Sequence, residues 1–220
     1  MPGMAIPERE QRAAIPEHGQ RAVILVEGAS DRAAVQAVAQ LRGVDLPAHR
    51  VEVVAMGGVT NIGHYLRRYG PGGAGPTLAG LCDAGEAAYV ARALVRAGIC
   101  AAATENAMRE QGFYVCHRDL EDELIRAVGV DGVQAVIADE GELRSWRTLQ
   151  RQPAQRDRDA ADQLRRFFGG RSGNKHRYAR LLAYALDPTR VPPPLAGVVD
   201  HVTAVARPGA DATGRGRTQA

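Results

Sequence analysis

The stretch AVILVEG at residues 22–28 decides the fold. Five consecutive aliphatic residues are typical of a strand that is buried on both faces, as in a parallel sheet. The apolar residues that follow, Ala34, Val38 and Leu41, recur at helical spacing and predict a helix over about 31–42. A buried strand that passes through a tight turn into a helix is the beginning of a βαβ unit.

The same alternation continues along the chain. Apolar runs predict three more strands, at 51–56, 77–82 and 112–116. Helical spacing predicts further helices at about 59–69, 86–97, 119–128, 131–139, 160–168 and 174–186. We therefore expect an α/β fold with a mainly parallel four-stranded sheet, followed by a helical C-terminal part.

Domain boundaries are predicted where these patterns begin and end. Residues 1–20 mix Pro, Glu, Gln and Arg without periodicity and are interpreted as an irregular N-terminal arm. We expect the α/β domain over 21–128 and a helical basic extension, packed on it, over 129–190. The stretch VPPPL at 191–195 predicts the end of the folded part, so that 191–220 would be a Pro/Gly-rich, partly disordered tail.

Composition excludes several classes of protein. With 45% hydrophobic and 24% charged residues in 220, the chain is typical of soluble globular proteins. No apolar run approaches the roughly 20 residues of a membrane helix, and none follows the charged amino terminus as in a secretory signal. The three cysteines show no CxxC spacing, which indicates neither a disulfide framework nor a zinc site. A cytoplasmic location without a membrane partner is the default expectation.

The charge is unevenly distributed. The segment from Arg144 to Arg180 has eleven basic and three acidic residues, so its charge is +8 and the rest of this +3 chain has −5. Such a segment suits the phosphate backbone of a nucleic acid, although a solvated helical face in an arginine-rich protein explains it equally well. The residues that we assign to nucleic-acid binding are Arg144, Arg147, Arg151, Arg165, Arg166, Arg171 and Arg177.

Acidic residues follow three of the predicted strands. Glu27 comes directly after the first and Asp83 directly after the third, while Asp119 and Glu121 come shortly after the fourth. Ligands of an open parallel sheet bind outside the carboxyl ends of its strands, so these acids are expected at one edge. Converging carboxylates repel one another unless a cation neutralises them, and hard oxygen ligands favour Mg²⁺ or Mn²⁺. The sequence therefore predicts a divalent-metal site that acts on a phosphodiester or a nucleotide phosphate.

Some of these acids also have a purely structural interpretation. Asp31 could be only a capping residue of the first helix, and Asp119 with Asp122 could be a capping pair. For Glu27 a functional role is favoured, because a carboxylate after a buried aliphatic run is poor cap chemistry and is costly to bury unpaired. The same reasoning extends to Asp83. Glu86 is interpreted as a solvated helix residue.

Three motifs resemble the TOPRIM domain, in the version found in nucleases of the OLD (overcoming lysogenization defect) family. They are VEGASD at 26–31, LCD at 81–83 and DLED at 119–122, and the resemblance covers about residues 21–187. It implies a Rossmann-like fold that binds magnesium and performs phosphoryl transfer on nucleic acid.

The resemblance implies a role for each matching acid. Glu27 aligns with a first-strand glutamate that is a metal ligand or general base, and Asp31 with a further acid four residues later. Asp83 aligns with the first aspartate of a DxD pair. Glu121, with Asp119 beside it, falls near a later acidic position and is assigned to the metal.

Lys175 resembles a late lysine of OLD nucleases that stabilises charge at the scissile phosphate. It is the only lysine among 28 Lys and Arg residues. A compact ammonium differs from a planar guanidinium in donor geometry and hydration, so a site could require it. Chance placement on a solvated helix is the alternative interpretation.

The chain departs from the family pattern in two respects. Gly85 occupies the place of the second aspartate of DxD, so one metal ligand is absent unless Glu86, Asp119 or Glu121 replaces it. No Walker motif is present, so ATP-driven action would need a separate ATPase partner.

The leading hypothesis is an Mg²⁺- or Mn²⁺-dependent nuclease that acts on DNA in preference to RNA, with Glu27, Asp83 and Lys175 in catalytic roles. One alternative is a catalytically impaired TOPRIM-like module that binds nucleic acid or regulates. Another is a nucleotidyl transferase or hydrolase for free nucleotides. A homodimer is compatible with the sequence.

Overall fold

A computed structural model describes residues 20–73, 75–170 and 173–206. Its strands are Ala22–Val26 (β1), Val51–Ala55 (β2), Thr77–Asp83 (β3) and Phe113–Cys116 (β4). They form one parallel sheet in the order β2-β1-β3-β4. The predicted strands and the α/β fold are therefore confirmed. The interpretations of residues 1–19 and 207–220 lie outside the described residues.

The strand order places a crevice between β1 and β3. The chain adds β2 on one side of β1 and then crosses to add β3 and β4 on the other side. In such doubly wound sheets, ligands bind at the carboxyl ends of the strands where the order reverses. Glu27 follows β1 directly and Asp83 is the last residue of β3, so the topology delivers both acids to this crevice.

Helices cover both faces of the sheet. They are Ala29–Leu41 (α1), Ile62–Tyr69 (α2), Ala87–Arg96 (α3), Glu105–Glu110 (α4), Leu120–Val128 (α5), Val130–Asp139 (α6), Leu143–Gln150 (α7), Ala160–Phe168 (α8), Asn174–Tyr184 (α9) and Pro193–Ala206 (α10). Alternate residues of β1 point to different cores: Val23 and Leu25 pack with α2 and α3, whereas Ile24 and Val26 pack with α1, α5, α9 and α10. Among the described helices, none is long and apolar enough to cross a membrane.

Helix α10 corrects the prediction that the folded part ends at 191–195. Its residues Leu195, Val198, Val199 and Val202 are completely buried in the core that contains α1. Their i, i+3, i+4, i+7 spacing is that of an amphipathic helix. Prolines are tolerated in the first turn because its N–H groups have no partner within the helix. The proline run that suggests a chain end is therefore the start of a core helix.

Two shorter helices, α4 and α7, are absent from the sequence prediction. Helix α4 has six residues and begins at a Thr104 cap, whose side chain accepts a hydrogen bond from the Ala107 N–H at 3.2 Å. Helix α7 lies in the basic segment, where arginines obscure the apolar pattern. Its Trp146 is fully buried and makes an edge contact with Phe167, with 5.6 Å between ring centroids. Trp146 anchors α7 in the same core as the sheet.

Candidate functional site

The turn after β1 fixes the first two acids. The backbone carbonyl of Glu27 accepts hydrogen bonds from the N–H groups of Gly57 (3.0 Å) and Gly58 (3.2 Å). These glycines have φ values of 71° and 118°, which residues with a Cβ rarely adopt. The Gly28 N–H donates to Asp31 Oδ2 at 2.7 Å and closes the first turn of α1. Asp31 is therefore a capping residue, and its position at the helix start also holds it at the crevice.

The turn after β3 positions Asp83 and Glu86. Glu86 is the backbone cap of α3, because its carbonyl accepts from the N–H groups of Tyr89 (2.9 Å) and Val90 (3.0 Å). Its side chain makes no capping hydrogen bond. The Glu86 carboxyl is instead close enough to Glu27 that, besides burial, the charge of Glu27 raises the pKa of Glu86.

The segment after β4 brings two more acids to the crevice, and one of them contacts Lys175 of α9. Asp119 caps α5, since its Oδ1 accepts from the Asp122 N–H at 2.7 Å, which agrees with the capping interpretation of Asp119. Glu121 Oε1 lies 3.1 Å from Lys175 Nζ, with the Glu121 side chain 13% exposed and that of Lys175 58% exposed. Asp122 turns away from the crevice and forms ion pairs with other residues, described below.

Three acids at the crevice have strongly raised pKa values. Burial raises the pKa of Asp83 to about 7, with the charges of Asp31, Asp119, Glu121 and Glu86 adding to it. Burial raises the pKa of Asp31 to about 6 against the opposing Gly28 hydrogen bond, and Glu121 and Glu27 contribute by repulsion. Burial and the neighbouring Glu27 raise the pKa of Glu86 to about 7. These carboxyl groups therefore form one mutually repelling cluster.

Asp31 interacts with both Asp83 and Glu86. It raises the pKa of Asp83 on one side and that of Glu86 on the other. Side chains alternate between the two faces of a strand, and this explains the division. Leu81 packs in the core that contains α1, and Asp83, two residues later, lies on the same face of β3. Glu27 continues the side of Leu25, towards α3, where Glu86 lies. The two strand-end acids thus approach the crevice from opposite faces of the sheet.

Comparison with known proteins agrees with this fold. Residues 20–70 match the family described as overcoming lysogenization defect protein-like, TOPRIM domain. The C-terminal region of the OLD protein of Xanthomonas campestris pv. campestris is 27% identical, with a TM-score of 0.64 over 85% of this chain and 94% of that one. Residues 20–70 of this chain are thus similar to an OLD-like TOPRIM domain, and most of the chain is similar in fold to the C-terminal region of that OLD protein.

A second solved structure has a similar fold. The C-terminal region of the Burkholderia pseudomallei OLD protein is 22% identical, with a TM-score of 0.64 over 84% of this chain and 98% of that chain. Among curated proteins there is no match. TOPRIM domains generally bind divalent metal ions and belong to enzymes of nucleic acids, so the resemblance found in the sequence is confirmed at that level.

The acids at the crevice fit a divalent cation by their chemistry. All the side chains at the crevice offer oxygen ligands, which Mg²⁺ and Mn²⁺ prefer. Oε2 of Glu86 is buried, and no described donor reaches it. Within residues 20–206 as described, however, no three His, Cys, Asp or Glu side chains are grouped so that they could hold an ion together. The donors are therefore assembled at the crevice, but the coordination sphere is not preformed.

The basic residues of the segment from Arg144 to Arg180 fall into two groups. Arg165 pairs with Asp122 (2.7 Å) and with Asp162, and its side chain is only 15% exposed. Arg177 pairs with Glu140 (2.8 Å) and Glu142. Arg165 and Arg177 thus hold helices together, which differs from the role expected from their charge. The side chains of Arg144, Arg147, Arg151 and Arg166 are exposed, and Arg171 lies outside the described residues.

The environment of Glu86 differs from that of a solvated helix residue. This acid was predicted to be a solvated helix residue, whereas its side chain is partly buried beside Glu27. The available signal was its position, since it lies three residues after a strand end that carries another acid. Spacing on a helix face was the wrong criterion, because Glu86 caps α3 from outside its first turn.

Proposed function

We propose that this chain is a metal-dependent phosphoryl-transfer enzyme, and specifically a nuclease that cleaves phosphodiester bonds of DNA. The observation that supports the proposal is the convergence of partly buried, mutually repelling carboxyl groups at the crevice between β1 and β3, beside a single lysine. Structural carboxylates are normally paired or hydrogen-bonded, so acids held together with raised pKa values indicate a site whose neutralising partner is a ligand.

Glu27, Asp31 and Asp83 are the residues that would hold the cation, with Asp119 and Glu121 at the rim. A bound divalent ion supplies Lewis acidity at a phosphate oxygen and lowers the pKa of water. The chain's part is to fix the backbone of these acids at strand ends and on the first turns of α1 and α5, so that side-chain movement completes the site when the ion binds.

Lys175 is proposed to stabilise the charge that develops on the phosphate. Burial acts to lower the pKa of Lys175, but the carboxylates of Glu121, Asp119 and Asp31 outweigh it and raise the pKa, so the ammonium stays charged. Its side chain is 58% exposed, which leaves it accessible to a phosphate at the crevice. Its contact with Glu121 holds the ammonium close to the acids.

A groove beside Lys175 is proposed to hold the nucleic-acid backbone. The groove has a volume of about 410 Å³ and is lined by Arg144, Arg166 and Asn174 among others. Asn174 directly precedes Lys175 at the start of α9. A strand whose phosphates contact the two arginines would therefore lead to the acidic crevice, and such contacts bind without sequence preference.

Cleavage of plasmid and single-stranded DNA in Mg²⁺ or Mn²⁺ tests this proposal. The wild-type chain, Glu27→Gln and Lys175→Ala are compared with Asp139→Asn, an exposed acid at the end of α6, as the matched control. We expect cleavage by the wild type and the control only. Equal cleavage by all four proteins would indicate a contaminating nuclease and would refute the assignment.

A second candidate function is a non-catalytic module that binds nucleic acid or regulates. The absence of a preformed three-ligand site among the described residues, together with Gly85, favours it. DNA binding that persists without any metal-dependent cleavage would support this function over the nuclease. Incubation of the same four proteins with nucleotide substrates tests hydrolysis or transfer on free nucleotides. A homodimer and a separate ATPase partner stay predictions from the sequence.

A further inference from the structure

Helices α1 and α9 lie side by side and run in the same direction. Near their starts, the His176 Nδ1–H donates to the Ala29 carbonyl at 3.0 Å. Near their ends, the Tyr184 hydroxyl donates to Gln40 Oε1. A groove of about 1390 Å³ is lined by these two helices and by the segment 43–53, which leads into β2. We refer to it as the α1–α9 groove.

Polar side chains line the α1–α9 groove in two rows, one on each helix. Each row has an i, i+4, i+8 spacing, which places its members along one side of a helix. The rows are Arg32, Gln36 and Gln40 on α1, and His176, Arg180 and Tyr184 on α9. At about 1.5 Å per residue each row is about 12 Å long, which is the length of about three to four nucleotides of a B-form strand.

The arginines of the α1–α9 groove are not neutralised by ion pairs. Within the part of the chain that the structure describes, no salt bridge involves Arg32, Arg50 or Arg180. The groove also contains Asp45 and Glu52, but the first follows the end of α1 and the second lies near the start of β2. Both acids are therefore at the end that is remote from the crevice. The end beside the crevice is basic, as the phosphate backbone of a nucleic acid requires.

Three consecutive residues at the start of α9 connect the α1–α9 groove to the crevice. Asn174 lines the groove of about 410 Å³ described above, Lys175 lies at the crevice, and His176 lines the α1–α9 groove. Successive residues of an α-helix are turned by about 100°, so Asn174 and His176 face nearly opposite directions with Lys175 between them. The two grooves therefore extend from opposite sides of the lysine.

We propose that the α1–α9 groove binds the DNA strand on the side of the scissile phosphate opposite to the groove lined by Arg144 and Arg166. This inference rests on the proposed function and deepens it, since it makes the substrate a strand that continues in both directions from the cleaved bond. Arg32 and Arg180 contact its phosphates. The ring of Tyr184 is 47% exposed and provides a face on which a base stacks.

Photochemical crosslinking in EDTA tests the position of the strand without measuring cleavage. The three native cysteines are buried, so an introduced surface cysteine can be labelled selectively with a photoactivatable group. Gln36 is exposed in the middle of the α1 row, and Gln36→Cys should crosslink to a single-stranded DNA oligonucleotide. The control is Arg109→Cys, an exposed position on α4, which packs in the core on the other face of the sheet. It should give no crosslink.

Removal of charge gives a second measurement. The double variant R32Q/R180Q should weaken DNA binding about tenfold and lower the log–log salt slope by about 1.5, because two phosphate contacts no longer release counterions. Arg109→Gln removes one charge elsewhere and should leave both quantities unchanged. Thermal unfolding checks the fold of R32Q/R180Q, which should melt like the wild type because neither arginine forms an ion pair. The crosslink at Gln36 leaves both arginines in place and is independent of this check.

The outcomes separate the inference from the function on which it rests. If the wild type binds and cleaves DNA, then a missing crosslink at Gln36, or unchanged binding by R32Q/R180Q, would overturn the inference and leave the nuclease proposal standing. A crosslink at Gln36 without cleavage by the wild type would support the groove as a DNA-binding surface and refute the nuclease. Absence of DNA binding by the wild type would refute both.

Discussion

Replacing Asp83 by Asn should make the metal-free protein more stable, although it removes a proposed catalytic residue. The pKa of Asp83 is raised from 3.8 to about 7, first by burial and then by the charge of Asp31 and its neighbours. Between about pH 4 and pH 7, the unfolded chain loses this proton and the folded chain keeps it. The free energy of unfolding therefore falls as the pH rises through this window, and the full penalty is present above pH 7.

The size of the effect follows from the pKa. About three pH units at about 1.4 kcal/mol each give about 4 kcal/mol, and solvent screening of the partly exposed Asp83 reduces this to about 2 kcal/mol. Asp83→Asn should thus gain about 2 kcal/mol at pH 8, or about 4–8 °C in Tm, and almost nothing at pH 4. Urea denaturation in EDTA at both pH values measures the difference.

Asp122→Asn is the matched control, because its expected effect has the opposite sign. Burial raises the pKa of Asp122, but its bonds to Arg126 and Arg165 outweigh burial and lower it. Its side chain is 12% exposed, so removing its charge takes one carboxylate partner from Arg126 and one from Arg165, which keep Glu123 and Asp162, and should cost about 2 kcal/mol at pH 8. If Asp83→Asn were no more stable than the wild type at pH 8, the repelling cluster would not exist as described.

Three further predictions concern the lysine, helix α10 and the groove. Lys175→Met should lower the cleavage rate about 100-fold. The Mn²⁺ affinity, measured by calorimetry, should stay the same or rise, because Glu121 loses its counter-charge. A loss of Mn²⁺ affinity would contradict the role assigned to Lys175. Gly197→Ala should cost about 1–3 kcal/mol in urea denaturation because its Cβ would overlap the ring of Tyr114, and unchanged stability would mean that α10 does not pack closely on β4. Arg166→Gln should reduce the salt dependence of DNA binding by about one in the log–log slope, and an unchanged slope would exclude Arg166 from the phosphate path.

The predictability of the fold differs between its two parts. All four strands could be located because aliphatic runs such as 22–26 report burial on both faces of a parallel sheet. The sequence patterns do not locate helices α7 and α10, and the reasons differ. Arginines surround the one large buried residue of α7, Trp146, and prolines begin α10. In α10 the apolar spacing of Leu195, Val198, Val199 and Val202 is present in the sequence, but the prolines before it indicate a chain end instead; in both helices, tertiary packing stabilises the element.

The candidate site was predictable in its members but not in its pairings. Strand ends and the family resemblance indicated Glu27, Asp83 and Glu121, because topology alone sends the carboxyl ends of parallel strands to one edge. The partner of each acid depended on the direction of its side chain. Glu121 forms an ion pair with Lys175, which lies more than fifty residues later in the chain.

The order of apolar and acidic residues along the chain was enough to determine a parallel α/β sheet with acids beyond its strands, since burial and strand direction are local properties. Only the tertiary structure decided which face of the sheet each acid approaches, and which arginines are held in ion pairs rather than exposed. Those outcomes depend on packing between distant helices, such as α5 with α8 and α9, and that packing sets distances that a linear pattern does not contain.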